Sequence, residues 1–580
     1  MRAAARPMLN SGLVDSAPAW PSKAMPSSSV ARIAWPALVC ATLYVCYFSH
    51  LGAIGFVGPD EPRYAWIARD MAESGDWITP RLYGKPWFEK PPLYYWSAAL
   101  SFKLFGVSEA AARLPSAVAA LLATLALAWL TLRLYGAETA RWLLLLLPTS
   151  VAMIGFSHAA STDMLFSATL TLALVAAATI LRLTTPPALV AGQLAAPDVN
   201  RAPLSGVLCA ALFGSFLGLA VLAKGPAALI LSGGAVFFWA LFTKRWRDAF
   251  RLLHPAAIAA FCLTALPWYI LCARRNPDFF HIFIIEHNFK RFLTPEFQHI
   301  QPFWYYAAVL LIALLPWTAL LLWSAVTGAV HLWRARTISA ATCFLLCWAG
   351  FCVLFFSISK SKLPGYILPA MPVIVLLMTQ AWFVLAERVA KSLSLTLLSA
   401  ALFFAACFAL TESVASQVSR GNINFGIAAG LVFGVLSVAN LVFAVGLRSA
   451  GNKAAAVAAC CVLPVLLAAM TSNKYLSSIF YWDPSGRSLA QELRQRQIPA
   501  TELAVQTMSR AQRYSLSFYL HTEIAGWDRQ NSRAGYLLAG SRMCASIIGQ
   551  EFKCEEIPFD LQKTGFFLYR ITPQLAEDHH

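Results

Sequence analysis

The sequence predicts an all-α polytopic membrane bundle of about thirteen transmembrane helices, followed by a small soluble α/β domain. Three observations carry this. Hydrophobic residues fill 58% of the 580 positions and charged residues only 13%, about half the ~25% of a soluble domain. The apolar residues fall in runs of about 18–23, the length that crosses a hydrocarbon core of about 30 Å, where a helix satisfies its own amides. The net charge of +17 gathers at the ends of these runs, which is the positive-inside pattern and excludes a nucleic-acid footprint.

Residues 1–30 carry Arg2, Arg6 and Lys23 among Pro and Ser and read as a disordered cytoplasmic tail. The run from about Arg32 to Leu51 is full length and lacks a small-residue cleavage site, so it reads as a retained helix, not a signal peptide. Further helices are expected near 109–133, 139–156, 161–182, 206–222, 226–243, 252–272, 303–323, 338–357, 366–386, 393–411, 425–446 and 453–470. Together, residues 31–472 form the membrane domain, interrupted by outer-side segments 52–108 and 273–302, and 184–205 reads as an exposed loop. With the N-terminus inside, Arg133 and Arg141, Lys244 to Arg247, Arg334 and Arg336, Arg388 and Lys391, and Arg448 and Lys453 all fall on the cytoplasmic side. Residues 473–580 then lie outside, in the periplasm of a Gram-negative cell, where short apolar runs alternate with charged helical stretches such as Ser488–Gln497. Eleven of the thirteen cysteines lie in or beside apolar runs as small hydrophobes; Cys544 and Cys554 lie in the soluble domain and suit a short-loop disulfide.

The outer side holds cations that the positive-inside rule does not explain: Arg63, Arg81, Lys85, Lys90, Lys224, Arg274, Arg275, Lys290, Arg291, Lys360 and Lys362. A bound phosphate is a physical reason to keep them there; snorkelling accounts for one or two. Segment 58–92 concentrates the chemistry. Asp60 is suited to cap a helix whose first turn holds Glu61 and Pro62. That helix sets Tyr64, Ile67, Ala68 and Met71 on one apolar stripe, as in a helix lying in the membrane interface, and ends at Gly75. A Pro-rich stretch then fixes Glu89 and Lys90. Readings without chemistry also exist: Asp60 as a cap, Asp163 as a helix-dipole partner, Glu89 as an ion-pair partner of Lys90 or Arg81, and Lys224 as a surface lysine.

Asp60-Glu61-Pro62-Arg63-Tyr64, Gly84-Lys85-Pro86 and Phe88-Glu89-Lys90-Pro91-Pro92 closely resemble the first periplasmic loop of the bacterial lipid A aminoarabinose transferases, which belong with the protein O-mannosyltransferases among the GT-C membrane glycosyltransferases. The resemblance continues through Ser161-Thr162-Asp163-Met164, Ala223-Lys224-Gly225-Pro226 and Ser359-Lys360-Ser361-Lys362-Leu363-Pro364-Gly365-Tyr366. It implies a GT-C fold and transfer of 4-amino-4-deoxy-L-arabinose from undecaprenyl phosphate to a lipid A phosphate, with lower surface charge and polymyxin resistance as the result. It also makes the acidic residue of the first outer loop, here Asp60, the catalytic one.

The chemistry is consistent with that. A lipid-phosphate donor needs no nucleotide cradle, and no Gly-rich phosphate loop is evident. The leaving phosphate gains negative charge, which fixed cations stabilise; Lys90, Arg275 and Tyr366 are the candidates to hold it, with Lys362 and Arg63 in reserve and Tyr64, Lys85, Lys224 and Lys360 completing the binding set. An anionic acceptor needs little general-base help, so Asp60 and Asp163, with Glu89, orient the acceptor or pair with the sugar ammonium, and attack opposite the leaving group inverts the anomeric carbon. No cofactor is required; a divalent ion on Glu89 and His287 is the metal reading. The expected partners are the lipid-linked aminosugar, lipid A and the bilayer, with the chain a monomer and no nucleic acid. The competing readings are a polyprenyl-phosphate-sugar transferase with a hydroxyl acceptor, and a transporter or flippase, against which the absence of a detectable repeat counts.

Overall fold

A computed structural model describes residues 29–184, 188–190, 193–195, 203–290, 300–335, 338–384, 485–528, 535–540, 542, 552–559 and 566–573, with isolated positions at 398, 401, 438 and 465–466. The tail and the helices expected at 393–411, 425–446 and 453–470 lie outside the described residues. By contact the chain divides into Met1–Ala41 and Thr42–His580. The first contains the start of α1 (Ser29–Tyr47).

Among the described residues, six helices are long and apolar enough to span a membrane, seven if a bent pair counts as one span. The chain is thus a multi-pass membrane protein. After α1 come α2 (Asp60–Ser74), a two-residue hairpin of β1 (Arg81–Leu82) and β2 (Lys85–Pro86), α3 (Leu93–Phe105) and α4 (Glu109–Tyr135). Next are α5 (Ala137–Leu146) and α6 (Val151–Ser157), α7 (Thr162–Ile180), α8 (Pro203–Lys224), α9 (Ala227–Thr243) and α10 (Pro255–Arg275). The series continues with α11 (Tyr305–Ala313), α12 (Thr318–Ala335), α13 (Ala340–Ile358), a 3-10 turn over Pro364–Ala370, and α14 (Met371–Val384). Two expected single helices are broken. That at 139–156 bends by 63° between α5 and α6, and that at 303–323 breaks around Leu314–Trp317, where Leu315–Pro316 is cis. Periodicity does not register such breaks, because apolar residues continue through them. The loop at 184–205 contains a small hairpin, Ala188–Val190 with Gln193–Ala195.

Helix α7 is buried on most of its surface and packs between α4 and α8, while α8 packs on α10. Gly214 and Gly218 make that last contact feasible: a Cβ on Gly214 would lie 2.0 Å from the Ala257 carbonyl oxygen, and one on Gly218 2.9 Å from Thr264 Cβ. This is the spacing by which small residues let membrane helices approach.

The C-terminal α/β domain contains α15 (Arg487–Gln495), β3 (Leu503–Gln506), α16 (Arg510–Leu520), β4 (Ala525–Gly526), β5 (Tyr536–Ala539), β6 (Phe552–Ile557) and β7 (Phe567–Pro573). Its sheet runs β4-β3-β5-β7-β6, parallel across β4, β3 and β5 and antiparallel across β5, β7 and β6. Strand alternation feeds both faces. Leu503, Val505 and Leu538 meet Leu493 and Leu516 of the helices on one face, and Ala504, Leu537 and Tyr569 pack on the other. Cys554 on β6 is disulfide-bonded; Cys544 lies outside the described residues.

Candidate active site

Helix α2 begins where the sequence places it, with an acidic first turn that favours the helix dipole, and ends at Gly75 (φ 74°), whose N–H donates to Met71 O. Two expectations change. Asp60 is the first helical residue and not the cap, since Pro59 occupies that position and no side chain caps the turn. The apolar stripe is covered by protein: α2 packs on α3 and on α16 of the C-terminal domain, leaving Glu61 to Ala65, Ile67, Ala68 and Met71 buried.

Glu61, expected only as a first-turn acid, anchors this start. Its Oε2 accepts from Val57 N at 2.8 Å and from Arg113 Nη2 at 2.8 Å. Its Oε1 accepts from Arg113 Nε at 3.1 Å and from Ala160 N at 2.7 Å. Arg113, 2% exposed, spends its other donors on the carbonyls of Leu51, Ile54 and Gly55 at 2.8, 2.8 and 2.9 Å. A buried ion pair is favourable only with this kind of full hydrogen-bond satisfaction. Through Ala160, it also ties the neighbour of Asp60 to the turn that leads into Asp163.

Around Asp60 the charges form a chain. Arg63, 5% exposed, pairs with Asp60 and with Glu89 at 3.0 Å, and Lys90 lies 3.7 Å from the other Glu89 oxygen. Rings of Tyr64, Trp87 and Tyr514 surround the guanidinium at 5.5–5.8 Å. Burial works against the Arg63 charge, but Glu89, Tyr64 and Asp60 outweigh it and hold its pKa above the ordinary value. The Asp60 side chain remains half exposed, so the acid that faces outward is backed by a buried cation.

The second acid pairs with the second tight-turn cation. Lys224, at the end of α8, bonds to Asp163 in the first turn of α7, and its ammonium lies 4.4 Å from the centre of the Tyr366 ring. This contact requires Gly365, because a Cβ there would lie 2.9 Å from Asp163 Cγ and Oδ2 and from Phe156. Gly365→Ala therefore forces Asp163 or Phe156 to shift, and on the catalytic role expected of Asp163 activity should fall about tenfold, since small misplacements at an active site are costly. Steady-state rates beside an unchanged melting temperature check this. A cavity of about 550 Å³ opens among apolar side chains including Phe156, Val309, Ile312, Ile367 and Met371, and Phe156 is the ring that also neighbours Gly365.

The other predicted residues are distributed as follows. Arg275 is half exposed and pairs with Asp76 at 3.1 Å, not with the Asp60 chain. Burial acts against the Asp76 charge, but the N–H groups of Ile78 and Thr79 and the charges of Arg275 and Arg81 hold its carboxyl below the usual range. A depressed carboxyl stabilises the fold above the ordinary Asp pKa of about 3.9, and that contribution disappears as pH falls through the lower folded value. Limited proteolysis around 76–79 is therefore expected to increase only in acid, and Asp76→Asn to remove the pH dependence. Lys85 is exposed on the hairpin and Lys360 is exposed beyond α13. Lys362 is buried and donates to the carbonyls of Gln301 at 3.0 Å and Ser359 at 2.6 Å, so it secures two chain segments. Tyr64 is buried against Tyr94 and Tyr95. Among the described residues no group of three His, Cys, Asp or Glu side chains gathers at ligand distance; the His287 side chain lies outside them.

A family model for dolichyl-phosphate-mannose-protein mannosyltransferase matches residues 37–283. ArnT of Cupriavidus metallidurans, in a crystal structure bound to undecaprenyl phosphate, superposes with a TM-score of 0.75 over 93% of this chain and 98% of that one, at 23% identity. The chain has the fold of ArnT. In sequence it resembles the undecaprenyl phosphate-alpha-4-amino-4-deoxy-L-arabinose arabinosyl transferases: 35% identity to that of Edwardsiella ictaluri over 55% of this chain and 54% of the relative, and 33% to that of Aeromonas salmonicida over 67% and 66%. The matched region spans about half the length of the first of these relatives. In this ArnT-like chain the Asp60 and Asp163 clusters, Glu61 included, fall on motifs that the sequence already singles out, whereas Arg113 does not. Its signal was an Arg inside an otherwise apolar helix, which a buried partner permits.

Proposed function

We propose that this chain is an inverting glycosyltransferase that moves 4-amino-4-deoxy-L-arabinose from undecaprenyl phosphate to a phosphate of lipid A. It works as a monomer on the periplasmic face of the bacterial inner membrane, and its C-terminal domain lies on that face. The observation that carries the reading is the acid–lysine–tyrosine cluster at Asp163, together with an apolar cavity of about 550 Å³ whose wall includes Phe156, a neighbour of Gly365 as Asp163 is; a polar head on a lipid tail suits the two. The similarity to the aminoarabinose transferases supports the sugar and the acceptor.

An oxygen of the acceptor phosphate dianion attacks the anomeric carbon while the bond from that carbon to the lipid phosphate breaks. The acceptor becomes a phosphodiester and the donor leaves as a phosphomonoester dianion, so charge balances and no proton must be removed. Lys90 and Tyr366 steady the leaving phosphate. Asp60, half exposed on its arginine support, pairs with the sugar ammonium or orients the acceptor. Glu89 already sits between Arg63 and Lys90, so the charges come from the chain itself and the reaction as drawn needs no cofactor.

The mannosyltransferase match favours a second reading, a hydroxyl acceptor, for which Asp60 would act as the base. Purified protein given synthetic donor, with lipid A or a hydroxyl acceptor, separates them. Transfer to lipid A alone, with inverted anomeric configuration by NMR, is the expected result; transfer to the hydroxyl alone overturns the acceptor assignment.

A further inference from the structure

The segment Leu51–Val57, which leads into Asp60, has no helix or strand of its own, yet its backbone groups are held one after another by side chains. Arg113 takes the carbonyls of Leu51, Ile54 and Gly55. Those of Gly52 and Ala53 go to Arg487 of the C-terminal domain, at 3.2 and 3.1 Å. Phe56 N donates to the Tyr519 hydroxyl at 3.1 Å, and Val57 N to Glu61. Five consecutive carbonyls are thus divided between two arginines, one from each domain.

Both C-terminal side chains meet on Glu109 of α4. Tyr519 donates to Glu109 Oε1 at 2.8 Å, and Arg487 Nη1 lies 3.2 Å from the same oxygen. Glu109 and Arg113 are one helical turn apart, so α4 supplies a fixed rail to which both domains attach the segment. Phe56 packs edge-on against Phe518 at 4.8 Å. The fit leaves no space for a side chain at residue 55: a Cβ on Gly55 would lie 2.0 Å from Ser485 Oγ and 2.7 Å from the Tyr519 hydroxyl.

We infer that Arg487 and Tyr519 are positioning residues: the C-terminal domain braces the Leu51–Val57 segment and so fixes where Asp60 stands. This rests on the role of Asp60 proposed above. An irregular segment whose carbonyls lose their donors exchanges them for water and moves, and a displacement of about 1 Å at a reacting group costs up to ~100-fold in rate. The domain acts here through the loop and not by touching the acceptor, which gives the brace a kinetic signature.

The test compares wild type with Arg487→Ala and the gentler Tyr519→Phe in the full-length protein, by hydrogen exchange over residues 51–58, melting temperature and steady-state transfer to lipid A. Expected are faster exchange confined to 51–58, a kcat reduced about 10–100-fold for Arg487→Ala and less for Tyr519→Phe, and an unchanged acceptor KM. Arg487→Lys, which retains charge but not the two-pronged donor, recovers only part of the rate. Wild-type exchange in both variants overturns the brace, as does a raised acceptor KM at unchanged kcat, which would mean that the domain binds acceptor. Should Arg487→Ala fail to fold, Tyr519→Phe decides by the same criteria. If wild type transfers no sugar, the functional reading falls while the exchange data still decide the brace.

Discussion

Arg113→Met is expected to destabilise the protein by about 3–5 kcal/mol, the cost of leaving one member of a buried ion pair without its partner. The substitution keeps the volume and apolar surface of α4 but strands the Glu61 carboxylate and removes the donors to the Leu51, Ile54 and Gly55 carbonyls. Thermal unfolding in detergent, read by monodisperse elution after heating, should show a large drop in midpoint. Combining it with Glu61→Leu should cost less than the two single changes summed, because an apolar pair replaces a charge pair more cheaply than either charge is left alone. An unchanged midpoint for Arg113→Met would mean that the clamp is not a stability element.

Asp60→Asn has the second large effect, on rate and not on folding. The Asp60 carboxylate is half exposed and its described partner is Arg63, so neutralising it disturbs little packing. A loss of about 10²–10³-fold in kcat is expected, the scale seen when one group of a preorganised electrostatic site is removed, with the melting temperature held within a few degrees. Because Arg63 also holds Glu89, the guanidinium keeps one carboxylate partner in the variant. A fold-sized loss of stability would instead indicate that Asp60 is structural.

Much of this arrangement was legible in the residues. The apolar runs gave the spans at α4, α7, α8, α10 and α13 to within a few positions, because length and hydropathy are dictated by the bilayer. Segment 58–92 delivered the α2 boundaries and the Asp60–Glu89–Lys90 grouping, since Pro, Gly and acidic first-turn residues act locally. What stayed hidden depends on partners distant in sequence. The Asp163–Lys224 bond joins two helices 61 positions apart, and Arg487 reaches a carbonyl 435 positions away. Arg63, expected as an outer-side cation in reserve for a phosphate, is buried, because its burial is created by Glu89 and by Tyr514 of the C-terminal domain. Arg275 and Lys362 are expected from the sequence as phosphate ligands; the structure gives one a carboxylate and the other two carbonyls.

Mass spectrometry of lipid A bears most directly on the central claim. The host would be a polymyxin-sensitive strain that makes the lipid-linked aminosugar but lacks its own transferase, expressing either this protein or its Asp60→Asn form. Addition of one aminoarabinose mass to lipid A by the wild type, and not by the variant, is the predicted result. Unmodified lipid A in cells that carry well-expressed, correctly folded wild type would contradict it.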